Sequence, residues 1–278
     1  MATPQKTTKT KSEASTEVKP GAEIVKATPT SVIAWNEADV TGFENVGAED
    51  LGIPFLTIIQ KGSAEFDTTH QKYREKKIDG CAVGDVIDII ARQVVYKVGG
   101  DPIIVVPVHW DKLYMEWKPR TATGGGIVQA HKDPAILNGC RRNAKNLDEL
   151  PNGNIIVTTA YFHVVEIKDG AVGKRYMVGM SSTQLSKSRR WLNMAQSLKI
   201  RVPNGSLITP PIFSHSYALS TQPESNDKGS WMGWSIAVNE MVTDANIAEE
   251  LLEIAKGCRL TGTDDAVKSS AAAADDVV

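Results

Sequence analysis

Residues Met180–Arg201, MSSTQLSKSRRWLNMAQSLKIR, carry the clearest helical pattern in a chain that otherwise reads as β-branched runs separated by turn residues. Ser181 followed by Gln184 makes an S-x-x-Q capping box, which marks a helix start by satisfying its free N–H groups. At about 100° per residue, Leu185, Trp191, Leu192, Met194, Ala195 and Leu198 fall on one half of the helix. Ser186, Arg189, Arg190, Asn193 and Ser197 fall on the other, with Lys187 close to the packing edge. Trp191 is therefore expected to anchor a core, and Arg189 and Arg190 to face outward.

The β pattern surrounds this helix. Glu44–Gln60 reads as a strand entering the core, because Pro54 breaks any helix among Ile53, Phe55, Leu56, Ile58 and Ile59. Asp85–Tyr96 and Pro102–Trp110 are dense in Val and Ile, and KVGGD between them predicts an antiparallel hairpin. The second strand continues to Lys118. Alternation assigns Leu113, Met115 and Trp117 to a core face, and Trp110, Lys112, Tyr114, Glu116 and Lys118 to an open face that interleaves aromatic and basic residues. Arg120–Ala130, with its three consecutive glycines, predicts a mobile loop, and Pro151–Asn154 a turn. Ile155–Ile167 is a long strand, turned by Asp169–Gly173 into Lys174–Met180. Ile212–Thr221 and Trp231–Val238 form a closing hairpin about the polar turn QPESNDKG. Trp231 and Trp234 then point to opposite faces. Thr243–Lys256 reads as a helix stopped by Gly257.

This order predicts a mostly β (α+β) fold: an OB-like small β-barrel with a helix inserted after the fourth long strand, a C-terminal helix and disordered termini. A β-sandwich with an added helix satisfies the same order. The expected organisation is a disordered arm over 1–30, poor in large apolar residues, one OB-like domain over 31–257, and a disordered acidic tail over 258–278.

The net charge of −2 conceals a segregation: −3 over residues 1–60, +8 over 61–201 (22 Lys and Arg against 14 Asp and Glu) and −7 over 202–278. A basic middle suits phosphate, and an acidic end can compete for it or recruit a partner. The candidate nucleic-acid contacts are Lys72, Arg74, Lys76 and Lys77 of the KYREKK loop, and Trp110, Lys112, Tyr114, Lys118 and Arg120 of the long strand. Arg141 and Arg142 of the next connection join them, with Lys187, Arg189 and Arg190 of the helix. Bases of a single strand stack on aromatics while phosphates meet Lys and Arg.

Other chemistry lacks a pattern. Cys81, Cys140 and Cys258 are too far apart for a metal-ligand pair, the five histidines form no H-E-x-x-H, and no G-x-S-x-G or G-x-x-x-x-G-K-[ST] occurs. The expectation is a non-enzymatic protein with no cofactor and no metal. With no secretion signal and no apolar run long enough to span a bilayer, a cytoplasmic location and no membrane contact are expected.

The blocks GIPFLTIIQ, YMEWKPR (114–120), LPNGN (150–154), MSSTQLSKSRRWLNM (180–194), TPPIFSHSY (209–217) and ESNDKGSWMGW (224–234) resemble a family of tailed-bacteriophage proteins regarded as single-stranded DNA-binding proteins. The resemblance spans Ala48–Val238. It implies an OB-like core, no metal, and a non-catalytic role in phage DNA replication or recombination in the host cytoplasm. The acidic tail is similar in character to tails of other single-strand binders, which points to a phage polymerase, helicase or primase as partner, although it lacks their terminal aromatic residue. Homo-oligomerisation is left open. The alternative function is a phage structural or assembly protein with no nucleic-acid role.

Overall fold

The computed structural model of the protein describes residues 52–121, 124–227, 229–264 and 267. The expected N-terminal arm and the last eleven residues of the expected tail lie outside them.

The chain is mostly β. In order it forms β1 (Leu56–Ile58), a single helical turn α1 (Tyr73–Lys76), β2 (Val86–Asp88), β3 (Gln93–Tyr96), β4 (Ile103–Thr121), β5 (Gly124–His131), β6 (Arg141–Arg142), β7 (Asp148–Glu149), β8 (Ile155–Lys168) and β9 (Ala171–Ser181). After these come α2 (Leu185–Ser197), β10 (Ile200–Arg201), β11 (Leu207–Ile208), β12 (His215–Asn226), β13 (Gly229–Met241) and α3 (Ala245–Thr261). The main sheet, curled into a half-barrel, has eight strands in the order β13-β12-β4-β8-β7-β6, with β5 also on β4 and β9 also on β8. A three-stranded sheet β1-β2-β3 and the two-stranded β10-β11 complete the β structure of the described residues.

The main sheet is covered on both faces. On one, Val105, Phe162, Val164, Tyr176, Val178 and Leu219 pack against Leu56, Val86 and Tyr96 of the small sheet and Trp191 of α2. On the other, Val106, Val108 and Val165 pack against Leu251, Ala255 and Cys258 of α3. Burial on both sides is why β4 and β8 read as near-continuous apolar runs.

Several expectations are corrected. Asp85–Tyr96 is not one strand paired with Pro102–Trp110. The buried Asp88 carboxylate accepts the Ile90 and Ala91 N–H groups at 2.9 and 2.8 Å, which turns the chain back so that β2 pairs with β3. β4 joins the other sheet, between β8 on one edge and β12 and β5 on the other. The glycine run expected as a mobile loop is strand β5, since the overlong β4 supplies it with backbone partners. The QPESN part of the expected polar turn is the end of β12, paired as far as Asn226 with Gly229.

α3 runs past Gly257 to Thr261 and ends at Gly262, whose φ of 74° is the left-handed conformation that stops helices. Cys258, Thr263 and Val267 are buried, so the expected tail boundary at 258 falls within packed structure.

Candidate nucleic-acid interface

The capping box expected at Ser181 does not form. Ser181 ends β9, paired with Thr159, and makes no side-chain cap bond. Gln184 is recruited by tertiary structure instead: its Oε1 accepts the Trp234 N–H at 3.1 Å and its Nε2 donates to Glu224 Oε2 at 3.3 Å. The start of α2 is thereby fastened to the outer edge of β13. Two residues earlier on the same edge, the Gln60 amide both accepts the Met232 N–H and donates to the Met232 carbonyl, at 2.9 and 2.8 Å. Two side-chain amides thus satisfy the backbone of an edge strand that would otherwise offer itself for pairing.

Trp191 is fully buried, stacked on Phe162 with ring centroids 4.2 Å apart and edge-on to Tyr217. That fixes the roll of α2. Arg189 and Arg190 then face solvent as the wheel predicts, and neither makes an ion pair among the described residues. Between α2 and β13 lies a groove of about 250 Å³, with Lys187, Arg190 and Met194 on the helix side and Ser235, Ile236 and Ala237 on the strand side. Two cations share it with the apolar side chains of Met194, Trp234 and Ile236 and the polar ones of Gln222 and Ser235.

Lys187 Nζ lies 2.6 Å from Glu224 Oε1. The same carboxylate accepts from Trp231 Nε1 at 3.0 Å and lies flat over Gly233, where a Cβ would meet it at 2.6 Å. Burial pushes the Glu224 carboxyl up, but the bonds from Lys187, Gln222 and Trp231 outweigh this and hold it below the usual carboxylate range. Of the two tryptophans, Trp234 is buried in the core and Trp231 is half-buried, on opposite faces as alternation requires.

The other sequence-derived candidates fall on separate surfaces. Lys72, Arg74 and Lys77 are exposed around α1, with Lys77 paired to Asp79 at 2.6 Å, and Lys76 is half-buried. Trp110 lies half-buried under α2 and donates from Nε1 to Ser188 Oγ at 3.4 Å. Lys112 and Lys118 are exposed; the Arg120 side chain lies outside the described residues. From Trp110 to Lys118 the strand rises on the order of 26 Å, so its two ends do not form one site. Arg141 and Arg142 are exposed but already paired, with Glu149 at 3.3 Å and Asp148 at 3.1 Å.

Tyr114 is only 4% exposed, which overturns the open stacking face expected on β4, and Trp117, assigned to the core, is 37% exposed. Both faces of the strand are covered here. Leu113 and Met115 pack with Tyr161 and Met177 on one side. On the other, Glu116 is buried within a polar network, accepting from Asn154 Nδ2 at 2.5 Å and meeting His131 Nε2 at 2.9 Å. Those contacts, Asn154 foremost, hold the Glu116 carboxyl below its ordinary range. Among the described residues, no three His, Cys, Asp or Glu side chains converge as metal ligands, and no helix is long and apolar enough to cross a membrane.

Sequence reasoning missed Lys199 and Arg201, which follow α2 and are exposed with no carboxylate partner among the described residues. A signal for them exists: residues 170–223 hold seven Lys and Arg and no Asp or Glu. Four of those seven, Arg189, Arg190, Lys199 and Arg201, remain outward-facing once Lys174 pairs with Asp88, Arg175 reaches Cys258 and Lys187 meets Glu224.

Searches of curated proteins and of solved structures find no match. The sequence profile of the family described as Pam3 phage gp34-like protein matches residues 23–260, from before β1 to the last turn of α3, and the chain belongs to that bacteriophage family.

Proposed function

We propose that this protein binds single-stranded DNA without sequence specificity and without catalysis, coating and protecting it during phage DNA replication or recombination in the host cytoplasm. The observation that carries this reading is the outer side of α2. Arg189 and Arg190 have no carboxylate partner among the described residues, and Lys187 and Arg190 line a groove together with Met194 and Ile236. Cations beside apolar surface suit a strand whose phosphates need neutralising and whose bases need cover. In this reading the half-barrel with its inserted helix is an OB-like platform, and partners such as a phage polymerase, helicase or primase are recruited through the acidic C-terminus.

Fluorescence anisotropy with labelled oligo-dT at low salt tests it. Wild type should bind at micromolar protein or below, with affinity falling steeply as salt rises. Arg189→Ala with Arg190→Ala should flatten the log–log salt slope by about 1.4, about 0.7 for each lost phosphate contact. No binding by wild type, or a double variant with an unchanged slope, would sink the reading.

A further inference from the structure

The hairpin β10–β11 begins three residues after α2 ends and joins neither larger sheet: Ile200 pairs with Ile208 and Arg201 with Leu207. Hairpins of two strands are marginal in water unless something packs on them. Here the apolar residues point outward, with Leu207 60% and Ile208 41% exposed. Cross-strand partners share a face, so Arg201 and Leu207 lie side by side. One step outward Lys199 Nζ reaches the Thr209 hydroxyl, and Lys199, Arg201, Leu207 and Thr209 are all exposed. Arg201 donates to the Gly205 carbonyl across the turn at 2.7 Å, which holds its guanidinium at the hairpin tip. Pro210, buried, anchors the base.

We infer that this face is a second arm of the nucleic-acid interface and that it opens duplex ends. Leu207 wedges against the last stacked base at a junction between duplex and single strand, while Lys199 and Arg201 hold the flanking phosphates. Charge selects the occupant: a leucine opposite one cation and diagonal to a second, neither with a carboxylate partner among the described residues, in a stretch of 54 residues with no acidic side chain, matches a polyanion with apolar faces. Apolar wedges beside cations are how proteins unstack base steps. The inference rests on the single-strand reading above and adds an activity, wedge-driven opening at a junction, beyond the passive destabilisation that single-strand binding gives by mass action.

The test uses the full chain, a labelled oligo-dT, and a short duplex with a single-stranded tail carrying a fluorophore and quencher at the junction. Leu207→Ser and Lys199→Gln with Arg201→Gln replace exposed side chains, and circular dichroism checks that both variants fold. Wild type should lower the melting temperature of the tailed duplex by more than its oligo-dT affinity gives through mass action. Leu207→Ser, which removes no charge, should leave the salt slope of oligo-dT binding unchanged and open the duplex about tenfold less. The double variant should lose part of both activities, with a salt slope flatter by about 1.4. Tight oligo-dT binding by wild type with no duplex opening beyond that mass-action amount would overturn the wedge and leave the single-strand reading intact. So would a Leu207→Ser variant that opens duplex like wild type, or a wild-type dimer that dissociates in Leu207→Ser while duplex opening is unchanged. Absence of oligo-dT binding by wild type would remove both.

Discussion

Glu224 on β12 neutralises Lys187 on α2 across 2.6 Å, so the groove beside β13 holds one cation in reserve. Removing the carboxylate's charge should release it. Glu224→Gln keeps the side-chain shape and an acceptor for Trp231, and is expected to bind oligo-dT several-fold more tightly with a salt slope steeper by about 0.7. Gly233→Ala reaches the same end by another route, since its methyl would displace the carboxylate lying over that glycine. Anisotropy titrations at four or more salt concentrations read both variants. A Glu224→Gln slope equal to wild type would show that Lys187 meets no phosphate.

Stability and binding should separate on α2. Trp191 is buried between Phe162 and Tyr217, and its truncation to Ala leaves a cavity the neighbouring strands cannot close, at a cost of about 3–5 kcal/mol. Arg189→Ala with Arg190→Ala touches only solvent-facing side chains and should change stability by less than about 1 kcal/mol. Urea unfolding followed by tryptophan fluorescence distinguishes them. A large loss in the arginine variant would mean that these residues brace the fold, and its binding defect would then say nothing about phosphate.

What the residues disclosed on their own was local. α2 and its two faces, the long strands β4 and β8, and the turn at Asp169–Gly170 all follow from periodicity and turn chemistry. The failures are tertiary. Asp88 hides a turn inside an apolar run by bonding two N–H groups just ahead of it. Alternation along β4 distinguishes two faces but not that both are covered, so Tyr114 looked open. Gly257 is tolerated on an exposed turn of α3, while Gly262, at positive φ, ends the helix. Gln184 caps no helix because Trp234 and Glu224 take its amide. In the candidate site, Arg189 and Arg190 were legible from the wheel. The Lys187 partner lies 37 residues away in sequence and could not be read, and Lys199 and Arg201, within the stretch that reads as helix, lie beyond its end at Ser197.

Ending the chain after Leu260 should destabilise it. Such a truncation removes Thr263, whose Oγ1 lies 3.2 Å from the buried His163 Nε2, and Val267, which is buried among Leu113, Met115 and Tyr161. Burial of a valine side chain is worth about 1.5–3 kcal/mol. A truncation after Lys268 spares both residues and removes only Asp275 and Asp276 among the acidic residues. It is expected to melt like the full chain and to bind oligo-dT equally or more tightly, because two charges that compete with phosphate are gone. Thermal melts of the two truncations together read what residues 261–268 contribute to stability. Equal melting of both would show that Thr263 and Val267 contribute nothing.

His163 makes the fold acid-sensitive above the range in which carboxylates titrate. Burial, with His109 and Arg175 adding to it, lowers His163 to about 4, against about 6.5 for a free histidine. As pH falls from 6.5 to 4, the unfolded chain takes up a proton that the folded chain refuses. Stability therefore decreases through that window, by up to about 1.4 kcal/mol per pH unit. His109 and His215, both held low by burial, steepen the same slope. Glu116 and Glu224 have depressed values, so their contributions are lost as pH falls below the ordinary carboxylate value of 4.5 and overlap only the acid end of this window. His163→Gln retains an amide that can meet Thr263 and removes the titrating ring. Urea midpoints at pH 7.0, 5.5 and 4.5 should fall steeply for wild type and less steeply for the variant, with near agreement in relative slope above pH 7. Parallel curves for the two proteins would mean that His163 accepts its proton in place and that α3 yields to admit it.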